Sequence, residues 1–317
     1  MDVLGIDISK ADFHVCLIQG TKRSSTSFPN APAGYRQVQT WLKNRRCKEV
    51  HACMEATGAY WNGLAKALYD AGMTVSVVNP SQTTFFSRSQ LRRTKTDEVD
   101  AAMIADYCVQ RRPGAWIPPA EETLKLRGLL SYRDHLVQER VRLRQVASQI
   151  HLSAQLRKLH VGQIKTLDNA IVALEKELNA LVKAHPMLAE AVSALTKTKG
   201  FGFLSAAAIV ARLPMQQLRN AKAAVAYAGL SPGERRSGTS VHGKPRICKI
   251  GDAELRRSLY MPALAAMRSN AILEPFADRL LARGKLPMVV VVAVMRKLLV
   301  RAYLVLRALE ISNAAAA

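Results

Sequence analysis

Four acidic side chains stand where catalysis explains them better than folding does. Asp7 lies inside an apolar run that predicts a strand, where burying a carboxylate is costly. Glu55 directly follows a second predicted strand, and Asp97 and Asp100 share one face of a predicted helix that begins after Thr96. Carboxylate oxygens suit Mg²⁺ or Mn²⁺, and a pair of such ions stabilises the attacking and leaving oxygens in phosphoryl transfer. The sequence therefore predicts a metal site at these four residues, although Asp97 alone could simply stabilise its helix dipole.

A second set of reactive side chains lies in the segment 230–246, which is rich in Gly, hydroxyl groups and cations. Ser237 follows two arginines and precedes a glycine, and Ser240 is the nearest other hydroxyl of this stretch. A serine among cations could attack a phosphodiester while the cations stabilise the developing charge. The same loop could equally bind phosphate without any covalent role.

The first third of the chain has the pattern of an α/β domain. Strands are predicted at 3–8, 13–18, 24–28, 50–54 and 74–78, with helices at 34–44 and 60–69. Three strands followed by alternating helix and strand is the element order of a ribonuclease H-like sheet. The arrangement of the strands is inferred by analogy, and in it the two acids on strands and the two on one helix could converge on a pair of divalent cations.

The rest of the chain has a helical pattern. Apolar residues at heptad spacing between 129 and 181 predict two long helices, which form either an intramolecular hairpin or a dimerisation arm. A turn that contains Lys199, Gly200 and Gly202 lies between apolar helices and resembles a helix-hairpin-helix, a motif that grips nucleic-acid backbone. A plain turn is the alternative.

Composition narrows the class of partner. The 317 residues carry a net charge of +22, and the final third alone holds 20 basic and only 6 acidic residues. This excess of positive charge favours a polyanionic partner, either nucleic acid or an acidic membrane surface. The longest apolar run, 286–295, is too short to span a bilayer, the N-terminus does not resemble a leader, and the five cysteines form no CxxC pair. We expect a cytoplasmic protein of the bacterial cytosol or nucleoid, with no membrane partner and no structural zinc.

Several motifs together resemble the DEDD transposases of the insertion-sequence 110 family, which includes the Piv-type DNA invertases. The resemblance runs collinearly over about residues 1–308 and rests on the segments GIDISK, ACMEATGAY, RRTKTDEVDA, KGFGFLSAAAI and YAGLSPGERRSGTSVHGKPRICKIGDAELRRSLYMPA. It implies a RuvC-like ribonuclease H domain at 1–112, a linker and coiled coil at 113–186, and a helical transposase domain at 187–317. The fold class is thus α/β plus all-α.

The resemblance also implies residue roles. The metal-binding acids of the family fall on Asp7, Glu55, Asp97 and Asp100, and its nucleophilic serine falls on Ser237, with Ser240 as the competitor. The residues expected to bind nucleic acid are Lys199, Gly200, Gly202, Arg235, Arg236, Lys244, Arg246, Arg256 and Arg257.

The implied reaction cuts and rejoins DNA through a transient 5′-phosphoserine, without a high-energy cofactor. The implied partners are donor and target DNA, a structured noncoding guide RNA, and further copies of the chain, as a dimer that pairs into a tetramer. A metal-dependent nuclease or junction resolvase that uses water as nucleophile is the main alternative. An inert nucleic-acid-binding protein is a more remote one.

Overall fold

The computed structural model describes residues 1–58, 60–90, 96–149, 153–233, 236–237, 241–242 and 246–316, and for 148–149, 236–237, 241–242 and 314–316 it describes the backbone alone. The chain divides into two compact units, Met1–Pro118 and Pro119–Ala317. The three-part domain division predicted above stays a prediction. Within the described residues, no helix is both long and apolar enough to cross a membrane.

The first unit is a five-stranded mixed sheet with helices on both faces. The strand order is β3-β2-β1-β4-β5, in which β1, β2 and β3 are antiparallel and β4 and β5 run parallel to β1. This is the ribonuclease H-like arrangement, so the predicted fold class is confirmed. The elements are β1 Asp2–Ile8, β2 Asp12–Gln19, β3 Lys22–Pro29, α1 Pro32–Asn44, β4 Val50–Glu55, α2 Asn62–Asp70, β5 Thr74–Val78, α3 Pro80–Ser89 and α4 Asp97–Arg111.

Side chains alternate between two separate cores along the sheet. Leu4 and Ile6 of β1 pack in one core with residues of α1 and α2. Val3 of β1, Cys16 of β2 and Cys53 of β4 pack in the other core, with α4. Side chains two residues apart on a strand share a face. The residues two positions beyond Cys53 on β4, and two and four positions beyond Val3 on β1, therefore also lie on the α4 face.

Helix α4 lies directly on β1, and a glycine makes this approach possible. A Cβ atom added at Gly5 would come within 2.2 Å of the Ala101 carbonyl oxygen and 2.3 Å of the Ala105 nitrogen. Both alanines are fully buried. A glycine inside a strand often marks such a close backbone contact, and here the contact holds the first turn of α4 beside the end of β1.

The second unit is helical, as predicted for this part of the chain. Its elements are α5 Glu121–Gln149, α6 Ala154–Ala184, α7 Pro186–Thr196, α8 Phe203–Arg212, a 3₁₀ turn Met215–Gln217, α9 Ala221–Tyr227, β6 Pro232–Gly233, β7 Arg236–Ser237, β8 Val241–His242, β9 Arg246–Ile247, α10 Ala253–Ser258, α11 Tyr260–Ser269, α12 Leu273–Ala282 and α13 Pro287–Ala316.

The two long helices α5 and α6 pack against each other within the chain. Arg133 of α5 pairs with Glu175 of α6 at 2.8 Å, and Arg140 pairs with Asp168 at 2.6 Å. Leu136 lies on the buried seam that the heptad spacing predicts. The intramolecular hairpin is therefore present.

Candidate active site

Three strands place polar side chains on the α4 face of the sheet, at the same end. Asp7 lies two residues beyond Gly5 on β1 and pairs in register with His14 of β2. Glu55 ends β4, directly after Met54, which pairs with Ile6 of β1. Strand alternation puts Asp7 and Glu55 on the face that α4 covers, as the position of Cys53 shows for β4.

The other two carboxylates come from the first turn of α4. Thr96 is the N-cap, because its hydroxyl accepts a hydrogen bond from the Val99 backbone N–H at 3.3 Å. Asp97 and Asp100 follow at helical spacing, as expected from the sequence. The carboxylate of Asp97 is largely exposed and lies 3.8 Å from Nε2 of His14. The fold thus gathers all four predicted acidic residues around one end of β1.

The pKa of Asp7 responds to burial and to the other three carboxylates. Burial raises the pKa of Asp7 from 3.8 to about 6, and repulsion by Asp100, Asp97 and Glu55 adds to the shift, while His14 opposes it. Burial and the neighbouring carboxylates therefore disfavour the ionised form of Asp7. A cation placed among these groups would favour the ionised form of each of them.

The donor set fits a hard divalent cation, because it consists of carboxylate oxygens on a partly buried surface. In the structure, however, these side chains are not drawn together around a common point. Among the described residues, no group of three or more His, Cys, Asp and Glu side chains is arranged to hold a metal ion. Glu55 instead accepts a hydrogen bond from the buried hydroxyl of Thr83, on α3.

Three residues of this site were not predicted. Gly5 brings α4 to the strand, His14 faces Asp97, and Thr83 holds Glu55. A glycine within an apolar strand was an available signal for Gly5. The sequence around Thr83 carries no such signal, since α3 has only two buried residues and no clear apolar stripe.

The candidate nucleophile lies in the second unit. Ser237 belongs to the two-residue strand β7 and pairs with Val241 of β8, so its backbone forms part of a short antiparallel ribbon. The side chains of Ser237 and Arg236 lie outside the described residues, as do Ser240, Arg235 and Lys244.

Of the remaining basic residues expected to bind nucleic acid, three are exposed and one forms hydrogen bonds within the protein. Lys199, Arg246 and Arg257 are exposed. Arg256 is partly buried, and its guanidinium donates hydrogen bonds to the carbonyl oxygens of Ala228, at 2.9 Å, and Lys249, at 3.5 Å. Part of its hydrogen-bonding capacity therefore holds the loop that precedes α10.

The two glycines of the α7–α8 turn have different surroundings. Gly200 has a φ of +113°, and a Cβ there would lie 2.9 Å from the Cβ of Ala266 on α11, so packing already requires glycine. Gly202 caps α8 with open space around its Cα, and its backbone N–H donates to the Ser205 hydroxyl at 3.0 Å. Of the two, Gly202 is the one with room for a phosphate.

Comparison with known proteins assigns the family. A transposase family model matches residues 4–160, and that of the "Transposase IS116/IS110/IS902 family" matches residues 192–277. The chain is 30% identical over 312 residues to the pilin gene-inverting protein of Moraxella bovis, with 96% of this chain and 95% of that protein covered. This chain belongs to the IS110 family of transposases. The pilin gene-inverting protein of Moraxella lacunata is 31% identical over the same length.

The family expected from the motifs is therefore confirmed, and the transposase is an enzyme of DNA recombination. Among solved structures, RuvC of Thermus thermophilus in complex with a Holliday junction substrate matches 36% of this chain and 98% of its own, at 13% identity and a TM-score of 0.29. The ribonuclease H-like assignment rests instead on the strand order of the first unit. Family and fold together indicate dependence on a divalent metal.

Proposed function

We propose that the transposase is a site-specific recombinase of an insertion sequence that joins DNA strands through Ser237. The observation that carries the proposal is the convergence of Asp7, Glu55, Asp97 and Asp100 at one end of β1, in a family of transposases. Four neighbouring carboxylates can hold divalent metal ions, and such ions stabilise the attacking and leaving oxygens when a phosphate ester is cleaved or formed.

In the proposed reaction, the Ser237 hydroxyl attacks a DNA phosphorus atom. The bond from phosphorus to the 3′ oxygen breaks, the serine proton passes to that departing oxygen to give a 3′-hydroxyl, and a 5′-phosphoserine ester forms. A 3′-hydroxyl of the second strand then attacks the same phosphorus, the bond from phosphorus to the Ser237 oxygen breaks, and the proton of the attacking hydroxyl returns to that serine oxygen. One ester replaces another at each step, so that no nucleotide cofactor is required.

Asp7, Glu55, Asp97 and Asp100 would hold Mg²⁺ or Mn²⁺. When bound, the metal would supply positive charge against the phosphate oxygens. Thr83 would keep Glu55 in place, and Gly5 would keep α4, with Asp97 and Asp100, beside Asp7.

We further propose that two copies of the chain share each site, with the acids from one protomer and Ser237 from another. The hairpin α5–α6 supports an assembly role, because it leaves large apolar side chains exposed after its own seam is filled. Tyr132 is 57% exposed, Leu159 61% and Val172 52%. A dimer that pairs into a tetramer would cover them.

A structured noncoding RNA is the proposed source of target specificity, through base pairing with donor and target DNA. The charge of +22 supports a protein that holds several nucleic-acid backbones. Sequencing of RNA that copurifies from cells carrying the flanking DNA tests this: a discrete transcript from those flanks is expected, and bulk cellular RNA alone would refute the guide.

The covalent link is tested with a nicked DNA substrate that traps the intermediate. Wild-type protein should give an SDS-resistant protein–DNA adduct, Ser237→Ala should give none, and Ser231→Ala, in the same loop, should behave as wild type. Cleaved ends without an adduct would instead establish the metal-dependent nuclease in which water attacks.

A further inference from the structure

The second unit contains a large groove that is lined in part by Lys199 and Arg246, two of the residues expected to bind nucleic acid. It has a volume of about 1620 Å³, whereas pockets for small molecules usually measure about 300–1,000 Å³. Its walls come from the α7–α8 turn, the strands β6 and β9, the α11–α12 connection and α13. An extended occupant therefore fits the groove better than a small one.

The floor of the groove is apolar and accessible. Ile272 is 80% exposed, Met288 57% and Leu304 52%, and all three line the groove. Exposed aliphatic side chains gathered in one concave surface are typical of a binding site. The aromatic ring of Phe276 also lies here, with the Lys297 ammonium 4.5 Å from its centroid.

The rim is cationic. No carboxylate is among the described residues that line the groove, and none of its cations forms an ion pair with an acidic side chain in the described part of the chain. Besides Lys297, the exposed cations are Lys197, Lys199, Arg246, Lys249, Arg296 and Arg301. A groove lined by cations of one sign attracts anionic ligands, so this rim favours an anionic occupant.

An apolar floor beneath cations matches an unpaired strand better than a duplex. In a duplex the base faces are stacked inside and only phosphates and groove edges are presented, so the floor would contribute nothing. In a single strand the base faces are free to lie against an apolar surface while the phosphates reach basic groups.

The position of the groove relative to Ser237 favours DNA as that strand. Pro232 of β6 and Arg246 of β9 line it, and these two strands pair with each other. Ser237 follows β6 by four residues along the chain. The groove is therefore bounded by the strands that flank the serine loop, where DNA next to the cut would lie.

We propose that this groove binds single-stranded DNA adjacent to the cleaved phosphate, with bases on the floor and phosphates on the rim. The proposal deepens the proposed function and rests on it for the identity of the strand. An acidic amphipathic helix of another protein has similar chemistry, and it becomes one outcome of the test.

The test measures binding by fluorescence anisotropy for a labelled single-stranded DNA, its duplex, the matching RNA and an acidic amphipathic peptide. The floor variant Met288→Gln should weaken single-stranded DNA about tenfold and leave the duplex unchanged, because it removes apolar contact alone. Met261→Gln is the matched control, since Met261 is 67% exposed and does not line the groove.

The rim is tested by the salt dependence of the same binding. Arg301→Gln should lower the slope of log affinity against log salt by about 0.7, the value for one phosphate of a single strand. Lys176→Gln, an exposed residue of α6 outside the groove, should leave the slope unchanged.

Three results would overturn the proposal. These are an equal loss of duplex and single-stranded DNA in Met288→Gln, a Met288→Gln defect that is larger for the RNA than for the DNA, and a Met288→Gln defect seen with the acidic peptide alone. The measurements are repeated in the Ser237→Ala protein, which should bind like wild type. Failure of the covalent chemistry and failure of the groove are thereby distinguished.

Discussion

Replacing Gly5 by alanine should disable the acid site without touching any acidic residue. The added Cβ would stand 2.2 Å from the Ala101 carbonyl oxygen and 2.7 Å from the Cα of Ala105. Comfortable carbon contacts begin at about 3.5 Å, so α4 must move outward by about 1 Å. Both neighbours are backbone atoms of one helix, which cannot yield as a flexible side chain would.

The displacement reaches the chemistry because α4 carries Asp97 and Asp100. A misplacement of about 1 Å at a catalytic site can reduce the rate by about 100-fold, and overpacking of a core costs about 1–3 kcal/mol of stability. We therefore expect recombination by Gly5→Ala to fall about 100-fold while the protein still folds.

The assay is recombination between two sites on a reporter plasmid, run at a temperature where circular dichroism shows the variant folded. Gly128→Ala is the matched control, since Gly128 has open space around its Cα in helix α5 and should gain about 1 kcal/mol of helix propensity at most. Wild-type recombination by Gly5→Ala would refute the seating of α4 on β1.

Three further perturbations test the electrostatics, the support and the assembly. Asp7→Asn should raise the melting temperature of metal-free protein above pH 6 and change it little below about pH 4. Folding raises the pKa of Asp7 to about 6. Ionisation of Asp7 therefore costs the folded protein stability as the pH rises through that value, and asparagine removes this cost. An equal change at both pH values would contradict that origin. Thr83→Val should lower the free energy of unfolding, measured in urea, by about 1–2 kcal/mol, because Glu55 loses its buried donor; an unchanged midpoint would mean that the hydroxyl does not support Glu55. Leu159→Glu on the exposed face of α6 should reduce the oligomer size measured by light scattering, whereas Gln163→Glu should not; identical sizes would leave the hairpin without an assembly role.

The sheet and its acids could be predicted because their signals are local. Apolar runs end at turn residues such as Gly20 and Asn79-Pro80, and Thr96 with Asp97 carries the signature of a helix start. The ribonuclease H-like element order follows from these signals alone. The positions of four carboxylates on these predicted elements were enough to predict an acidic site.

What supports the acids depends on contacts that no local pattern encodes. The seating of Gly5 against Ala101 joins residues almost a hundred positions apart, and Thr83 reaches Glu55 from helix α3, whose polar sequence was not predicted as a helix. Arg256 was expected to bind nucleic acid, whereas in the structure its guanidinium donates a hydrogen bond to the carbonyl oxygen of Ala228. The groove of the second unit is likewise assembled from segments between 197 and 304.

The measurement that tests the central claim most directly is mass spectrometry of the protease-digested protein–DNA adduct. We expect a nucleotide attached through phosphate to the peptide that contains Ser237, and its near-complete loss in Asp7→Asn protein under the same conditions. Attachment to any other residue, or an undiminished adduct in Asp7→Asn, would contradict joint action of the acids and Ser237 on one DNA phosphate.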